Sequence, residues 1–205
     1  MSSRCTDLPI LRRDLPAGTQ AEWSQVDPRI LQTMREAVRQ QSWPLVIWGN
    51  VGSGKTSTAA LLYASWSRDD VKWFSAAEFV RVVQTARRDG QVLLPGSVNT
   101  VGEESIWRVR VDQSSLVILD DLGTRMPTDS QYEILFELID RRAGKPLVVS
   151  TNHSPDGLAN IFDERITSRL LAGTVIEFAL PDRRRQQGRR FRVTERLKIA
   201  NTETA

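Results

Sequence analysis

The sequence predicts an α/β fold of three layers, a five-stranded parallel β-sheet between two layers of helices. Three observations predict it. Short apolar runs recur at residues 45–48, 71–74, 116–119, 147–150 and 175–178. Helix-like stretches separate them, as parallel strands require, because each crossover needs a dozen or more residues. The first run leads directly into a glycine-rich octet, GNVGSGKT at residues 49–56, which opens a helical pattern.

Taken in order, residues 1–40 read as an N-terminal arm. LPILRRDLPAGTQAEW is irregular, and DPRILQTMREAVRQQ is an amphipathic helix with Ile30, Leu31, Met34 and Val38 on one side. The body spans residues 41–180. Its octet is spaced Gly49, four residues, then Gly54-Lys55-Thr56, which is a P-loop. Glycines allow the tight turn that points successive N–H groups inward, at the start of a helix whose positive end favours anions. Gly49, Asn50, Val51, Gly52, Ser53, Gly54, Lys55, Thr56 and Ser57 then form a nucleotide cradle. Lys55 reaches the β- and γ-phosphates, and the Thr56 hydroxyl ligates Mg²⁺.

SAAE at 75–78 is a capping box for the helix after the second run. Residues 89–105, DGQVLLPGSVNTVGEES, read as a loop or insertion. LVILDDLG at 116–123 is a buried strand ending in two acids and a turn. Parallel strands present their C-terminal ends at the ligand crevice. Asp120 there suits the metal, and Asp121 suits polarising the water that attacks the γ-phosphate. TDSQ at 128–131 is a second capping box, opening a helix with Ile134, Leu135, Leu138 and Ile139 in a stripe. LVVSTN at 147–152 brings Asn152 to the attacking water or the γ-phosphate, unless Asn152 only makes a turn. His153 reads as structural or exposed rather than as a general base. In SPDGL, Ser154 caps a helix with Pro155 at its first position. DERITSRLLAG at 163–173 places Arg165 and Arg169 on one helix face. They serve either as surface ion pairs or as an arginine finger on a neighbour's nucleotide, which requires oligomers.

Composition narrows the class. With 40% hydrophobic and 26% charged residues, the chain is an ordinary globular protein rather than a disordered one. Its single cysteine, Cys5, excludes an internal disulfide and a Cys-rich zinc site, and the single histidine argues against His-based metal chemistry. No apolar run nears the ~20 residues of a membrane helix, and the first residues lack a signal-peptide core. A cytoplasmic protein without membrane contact is expected. Trp48, Trp66 and Trp73 are expected in the core. Residues 182–205 hold eight cationic side chains against three acids, a net +5 that leaves −2 on residues 1–181. The tail, residues 181–205, offers Arg183, Arg184, Arg185, Arg189 and Arg190 to DNA phosphates and Phe191 to a base, or is merely solvated.

The octet, LVILDDLG, LIDRRAGKPLVVSTN and ERITSRLLAG stand in the order found in AAA+ ATPases of the initiator and loader clade. Over residues 43–180 the chain resembles the DnaC/IstB-type family of helicase loaders and transposition helpers. The resemblance implies an AAA+ core of the P-loop NTPase fold. It implies ATP and Mg²⁺ at Lys55, Thr56 and Asp120, catalysis at Asp121, a sensor at Asn152, and Arg169 as finger with Arg165 in support. It also implies that residues 76–110 approach single-stranded DNA, where Arg81, Arg87, Arg88, Arg108 and Arg110 are available. Two departures stand out. The residues after Phe178 are too few for the usual helical lid, which is reduced or absent. The arm is shorter than a typical helicase-binding domain.

The expected function is that of a DNA-replication accessory ATPase. It self-associates into a ring or helix, binds single-stranded DNA and loads a replicative helicase. A transposition helper that delivers DNA to a transposase is the alternative. So is a slow nucleotide-gated adaptor, because Asp121 stands where glutamate is more usual. A small-molecule kinase with RRRQQGRR as its lid fits poorly, since that segment lies beyond the last strand.

Overall fold

The computed structural model describes residues 11–16, 19, 21–94 and 97–179. The first helix is α1 (Pro28–Gln40), with Asp27 as cap. β1 (Leu45–Gly49), α2 (Lys55–Ser65), β2 (Val71–Ser75) and α3 (Ala76–Asp89) follow. A two-stranded hairpin, β3 (Val92–Leu93) with β4 (Thr100–Val101), occupies the segment expected to be a loop. One helical turn, α4 (Glu103–Ser105), runs into a π-helix, Ile106–Asp112. The rest is β5 (Leu116–Leu122), α5 (Asp129–Arg141), β6 (Leu147–Thr151), α6 (Pro155–Ile161), α7 (Glu164–Leu171) and β7 (Thr174–Phe178).

All five expected strands form one parallel sheet in the order β2-β5-β6-β1-β7. Side chains alternate between the faces of a strand, and this sorts the core into halves. Leu45, Ile47, Leu116, Ile118, Val148, Ile176 and Phe178 face α1 and α2. Val46, Val117, Leu119 and Val149 face α3, α5 and α7, where Phe79, Leu138, Ile166 and Leu170 meet them. Helices begin where the caps are. Ser75 Oγ accepts from the Glu78 N–H at 3.2 Å, Gln131 reciprocates with Thr128, and Ser154 Oγ accepts from Gly157 N–H at 3.1 Å.

Two expectations are revised. Trp23 of the arm, with Leu31, Met34 and Ala37 of α1, is buried against the sheet. Residues 23–40 are therefore built into the body. The fully buried tryptophans are Trp23, Trp43 and Trp107. Trp48, Trp66 and Trp73 are half-buried, with Trp66 and Trp73 packed against the core from its margin. Trp73 lies on an edge strand and Trp66 at the end of α2.

One buried cation braces the end of the sheet where strands begin. Arg142, 1% exposed, donates to the carbonyls of Val111, Ser114 and Pro146. Burial pushes its guanidinium down to about 10, so it stays charged at neutral pH.

Candidate nucleotide site

The site lies where β1, β5 and β6 end. Gly49 must be glycine on steric grounds: a Cβ there would sit 2.4 Å from the Phe178 carbonyl oxygen of β7. The loop then turns into α2, whose cap, Gly54, has φ of +101°. Lys55 is 5% exposed, and its Nζ donates to the carbonyls of Gly49 and Asn50 at 2.8 Å each. The ammonium is thus held across the loop that a phosphate would enter. Ser53 Oγ is buried with no hydrogen-bond partner within the protein. An orphaned hydroxyl in such a loop is costly unless a ligand or water satisfies it. Cradle and cation fit a nucleotide's phosphates.

Thr56 and Asp120 meet across the sheet, the hydroxyl donating to Asp120 Oδ1 at 3.2 Å. Ser150 Oγ donates to the same oxygen. Asp120 is 6% exposed, and burial pushes its carboxyl above the usual range. The charge of Asp121 pushes the same way, while the two hydroxyls oppose it. A buried carboxylate beside a threonine hydroxyl is a hard-oxygen pair that suits Mg²⁺. Among the described residues no three His, Cys, Asp or Glu side chains gather as a metal cluster. A divalent ion here would rest on this pair and on phosphate oxygens, as Mg²⁺ usually does.

Asp121, the next residue, is exposed with φ of +57°, and its N–H donates to Ser150 Oγ at 3.0 Å. Asn152 is exposed just past the end of β6. Lys55, Thr56, Asp120, Asp121 and Asn152 therefore share one end of the sheet. Arg165 and Arg169 are placed elsewhere, on α7 against α5. Both guanidiniums stack over Phe136, at 4.3 and 4.8 Å, and Arg169 Nε donates to Asp140 at 2.8 Å.

A groove of about 590 Å³ opens beside Asp121, between α3 and the turn leading to α5. Val80, Leu135 and Phe162 give it an apolar floor, and Arg81, Gln84, Arg125 and Gln131 line it as well. Arg87 and Arg88 are engaged otherwise. Arg87 pairs with Glu103 and Glu137, and Arg88 with Asp89. Arg183, Arg184, Arg185, Arg189 and Arg190 lie outside the described residues. Sequence reasoning did not single out Ser150, Thr151 or Arg125. The signal for the first two was a pair of hydroxyl residues closing an otherwise apolar run.

A family model described as IstB-like ATP binding protein matches residues 3–175. The chain belongs to the IstB-like ATP-binding family. Among curated relatives, the chromosomal replication initiator protein DnaA of Brucella abortus is 29% identical over 146 residues. That match covers 68% of this chain and 26% of the relative. A putative ATP-binding protein in an insertion sequence of Mycobacterium tuberculosis, Rv3427c, is 29% identical over 135 residues, covering 64% and 49%. The IstB-like chain thus spans about a quarter to a half of these relatives. Among solved structures, the DnaC helicase loader superposes with a TM-score of 0.59 at 22% identity, over 78% of this chain and 92% of that one. The fold is that of the AAA+ P-loop NTPases, as the sequence led one to expect.

Proposed function

We propose that this IstB-like protein is a Mg²⁺-dependent ATPase that binds DNA and self-associates to deliver it to a partner enzyme. The observation that carries the reading is the convergence of Lys55, Thr56, Asp120, Asp121 and Asn152 on one sheet end. In this reading Lys55 leaves its two loop carbonyls for the β- and γ-phosphate oxygens. Mg²⁺, when bound at Thr56 and Asp120, neutralises charge on those oxygens. Asp121 polarises the attacking water, and Asn152 orients it or the γ-phosphate. Arg169 of a neighbouring copy supplies the remaining positive charge as it develops, with Arg165 beside it.

DNA contacts are assigned to the groove beside Asp121, where Arg81 and Arg125 meet phosphates over an apolar floor that accepts bases. The basic tail adds non-specific contacts. A transposase is the favoured partner, because the family match and the insertion-sequence relative both point to transposition. The likeness to a helicase loader supports the second reading, delivery to a replicative helicase.

The test is ATP turnover by the purified protein, with and without single-stranded DNA, beside Asp121→Asn. Mg²⁺-dependent turnover that DNA stimulates and Asp121→Asn slows is expected. Turnover equal in both proteins would overturn the reading. Capture of partners from the native host then separates transposase from helicase.

A further inference from the structure

His153, the single histidine of the chain, stands next to Asn152 and has no part in the chemistry above. β5 does not end straight beside it. Its register against β6 shifts between Leu119 and Leu122, and both Asp121 (φ +57°) and Gly123 (φ +79°) are left-handed. Glycine adopts that conformation freely. An aspartate there is strained and persists only where its surroundings hold it.

Residues at the end of β6 do the holding, almost one for one. Ser150 Oγ takes the Asp121 N–H at 3.0 Å, and Thr151 Oγ1 donates to the Leu122 carbonyl at 2.8 Å. His153 Nε2 lies 2.8 Å from the Gly123 carbonyl oxygen. A carbonyl only accepts, so Nε2 carries the proton in this bond. Thr124 Oγ1 closes the turn from its far side, donating to the Asp121 carbonyl at 2.8 Å.

The imidazole is fixed on its other sides too. The His153 N–H donates to Thr151 Oγ1 at 3.2 Å. A Cβ on Gly123 would come within 3.2 Å of His153 Cδ2, and one on Gly157 within 3.2 Å of His153 Cβ. The residue is packed closely between two backbone segments, where a methyl group on either would have to push it by a few tenths of an ångström.

We propose that His153 is a positioning residue for ATP hydrolysis: it locks the Asp121–Gly123 bulge and so aims Asp121 at the attacking water. The proposal rests on the assignment of Asp121 as the water-polarising carboxylate. It requires a hydrogen-bond donor at the position of Nε2, whereas simple packing would require only volume. His153 bonds Gly123, three residues beyond the Asp120 carboxylate that meets Thr56 of the P-loop, so losing the lock should change nucleotide affinity little.

The variants that separate these cases are His153→Leu, with similar volume and no donor, and His153→Gln, with a donor at comparable reach. Each is assayed for ATP affinity with a fluorescent nucleotide, for turnover, and for exchange of the Asp121 amide proton by NMR. His153→Leu should bind ATP normally, lose about tenfold or more in turnover, as outer-shell positioning groups typically do, and exchange the Asp121 amide faster. His153→Gln should restore most of both. The proposal is overturned if His153→Leu matches the wild type in turnover and exchange, if His153→Gln is as impaired as His153→Leu, or if ATP affinity falls in step with turnover. Should the wild type prove no faster than Asp121→Asn, the hydrolysis reading itself fails. Amide exchange then still decides whether His153 holds the bulge.

Discussion

Ser150→Ala removes one hydroxyl that serves both the Asp120 carboxylate and the Asp121 backbone. Ser150 is fully buried, donates to Asp120 Oδ1, and accepts from the Asp121 N–H at 3.0 Å. Two losses follow. A hydrogen bond to a charged group contributes about 1.5–3 kcal/mol, and the amide left without an acceptor costs a further ~1–3 kcal/mol where it is buried. Together these are about 2.5–6 kcal/mol, and at roughly 2–4 °C per kcal/mol for a chain of this size the melting temperature should fall by about 5–24 °C. Asp120 keeps only the Thr56 hydroxyl of its two side-chain partners, so its hold on a metal loosens, by ~10–100-fold for supporting contacts of this kind. The assay is turnover against Mg²⁺ concentration, with nucleotide affinity measured separately without Mg²⁺. Half-saturating Mg²⁺ should rise, and metal-free nucleotide affinity should stay near wild type.

A pH dependence accompanies this. Asp120 titrates above the ordinary carboxylate range. Below its pKa it is neutral and holds Mg²⁺ poorly, so half-saturating Mg²⁺ should climb as pH falls toward that value. Ser150 lowers the pKa; its removal should start the climb at a higher pH. A Mg²⁺ titration superimposable on the wild type at every pH, with unchanged melting, would refute the assignment of Asp120 and its hydroxyls as a metal site.

Lys55→Ala should abolish ATP binding, whereas Asp121→Asn should bind ATP and turn it over slowly, because in the proposed mechanism Lys55 acts in the ground state and Asp121 on the attacking water. Nucleotide titration tests this, and equal loss of affinity in both would contradict the roles. Removing residues 183–205 should weaken DNA binding and flatten its salt dependence, by a slope of about 0.7 per lost phosphate contact on single strands. Arg81→Ala with Arg125→Ala should weaken DNA binding further without changing ATP affinity; an unchanged DNA affinity would remove the groove from the interface. Arg169→Ala should bind ATP normally and hydrolyse it poorly, and mixing it with Lys55→Ala should restore turnover at interfaces that pair an intact loop with an intact arginine. Mixtures shown to co-assemble without any recovery would reject a role in trans.

The parts of the site legible in sequence are those fixed by local spacing. The octet dictates a loop whose geometry depends on glycines five residues apart, and LVILDD dictates a buried strand that must surface at its acids. Both lie where expected, as do all five strands. The supporting shell was illegible because it depends on register. Ser150, Thr151 and His153 act only because β6 pairs with β5 and the pairing slips between Leu119 and Leu122. No spacing within one segment announces that slip. The arm was legible in part. The apolar side of its amphipathic helix, Ile30, Leu31, Met34 and Val38, is the side packed on the core, but nothing in the segment announces that the sheet is what it covers.

Arg169 is the residue whose surroundings and proposed role pull apart, and magnitudes reconcile them. Its ion pair with Asp140 is partly exposed on both sides, a kind that contributes about 0–1 kcal/mol. Its stacking over Phe136, at 4.8 Å, contributes ~0.5–1 kcal/mol at a surface. Arg169 Nη1 also donates to the Arg165 carbonyl at 2.8 Å, an exposed bond contributing about 0.5–1.5 kcal/mol, so freeing the side chain costs about 3.5 kcal/mol at most on these scales. An arginine delivered to a transferring phosphoryl group accelerates turnover by ~10³-fold or more, about 4 kcal/mol at 1.36 kcal/mol per decade. The gain exceeds the cost of release, so the contacts on α5 do not oppose a role in trans. They also give the arginine a defined position in the separate copy. Arg165, stacked on the same ring at 4.3 Å, can keep Phe136 covered when Arg169 leaves, which lowers the cost of release further.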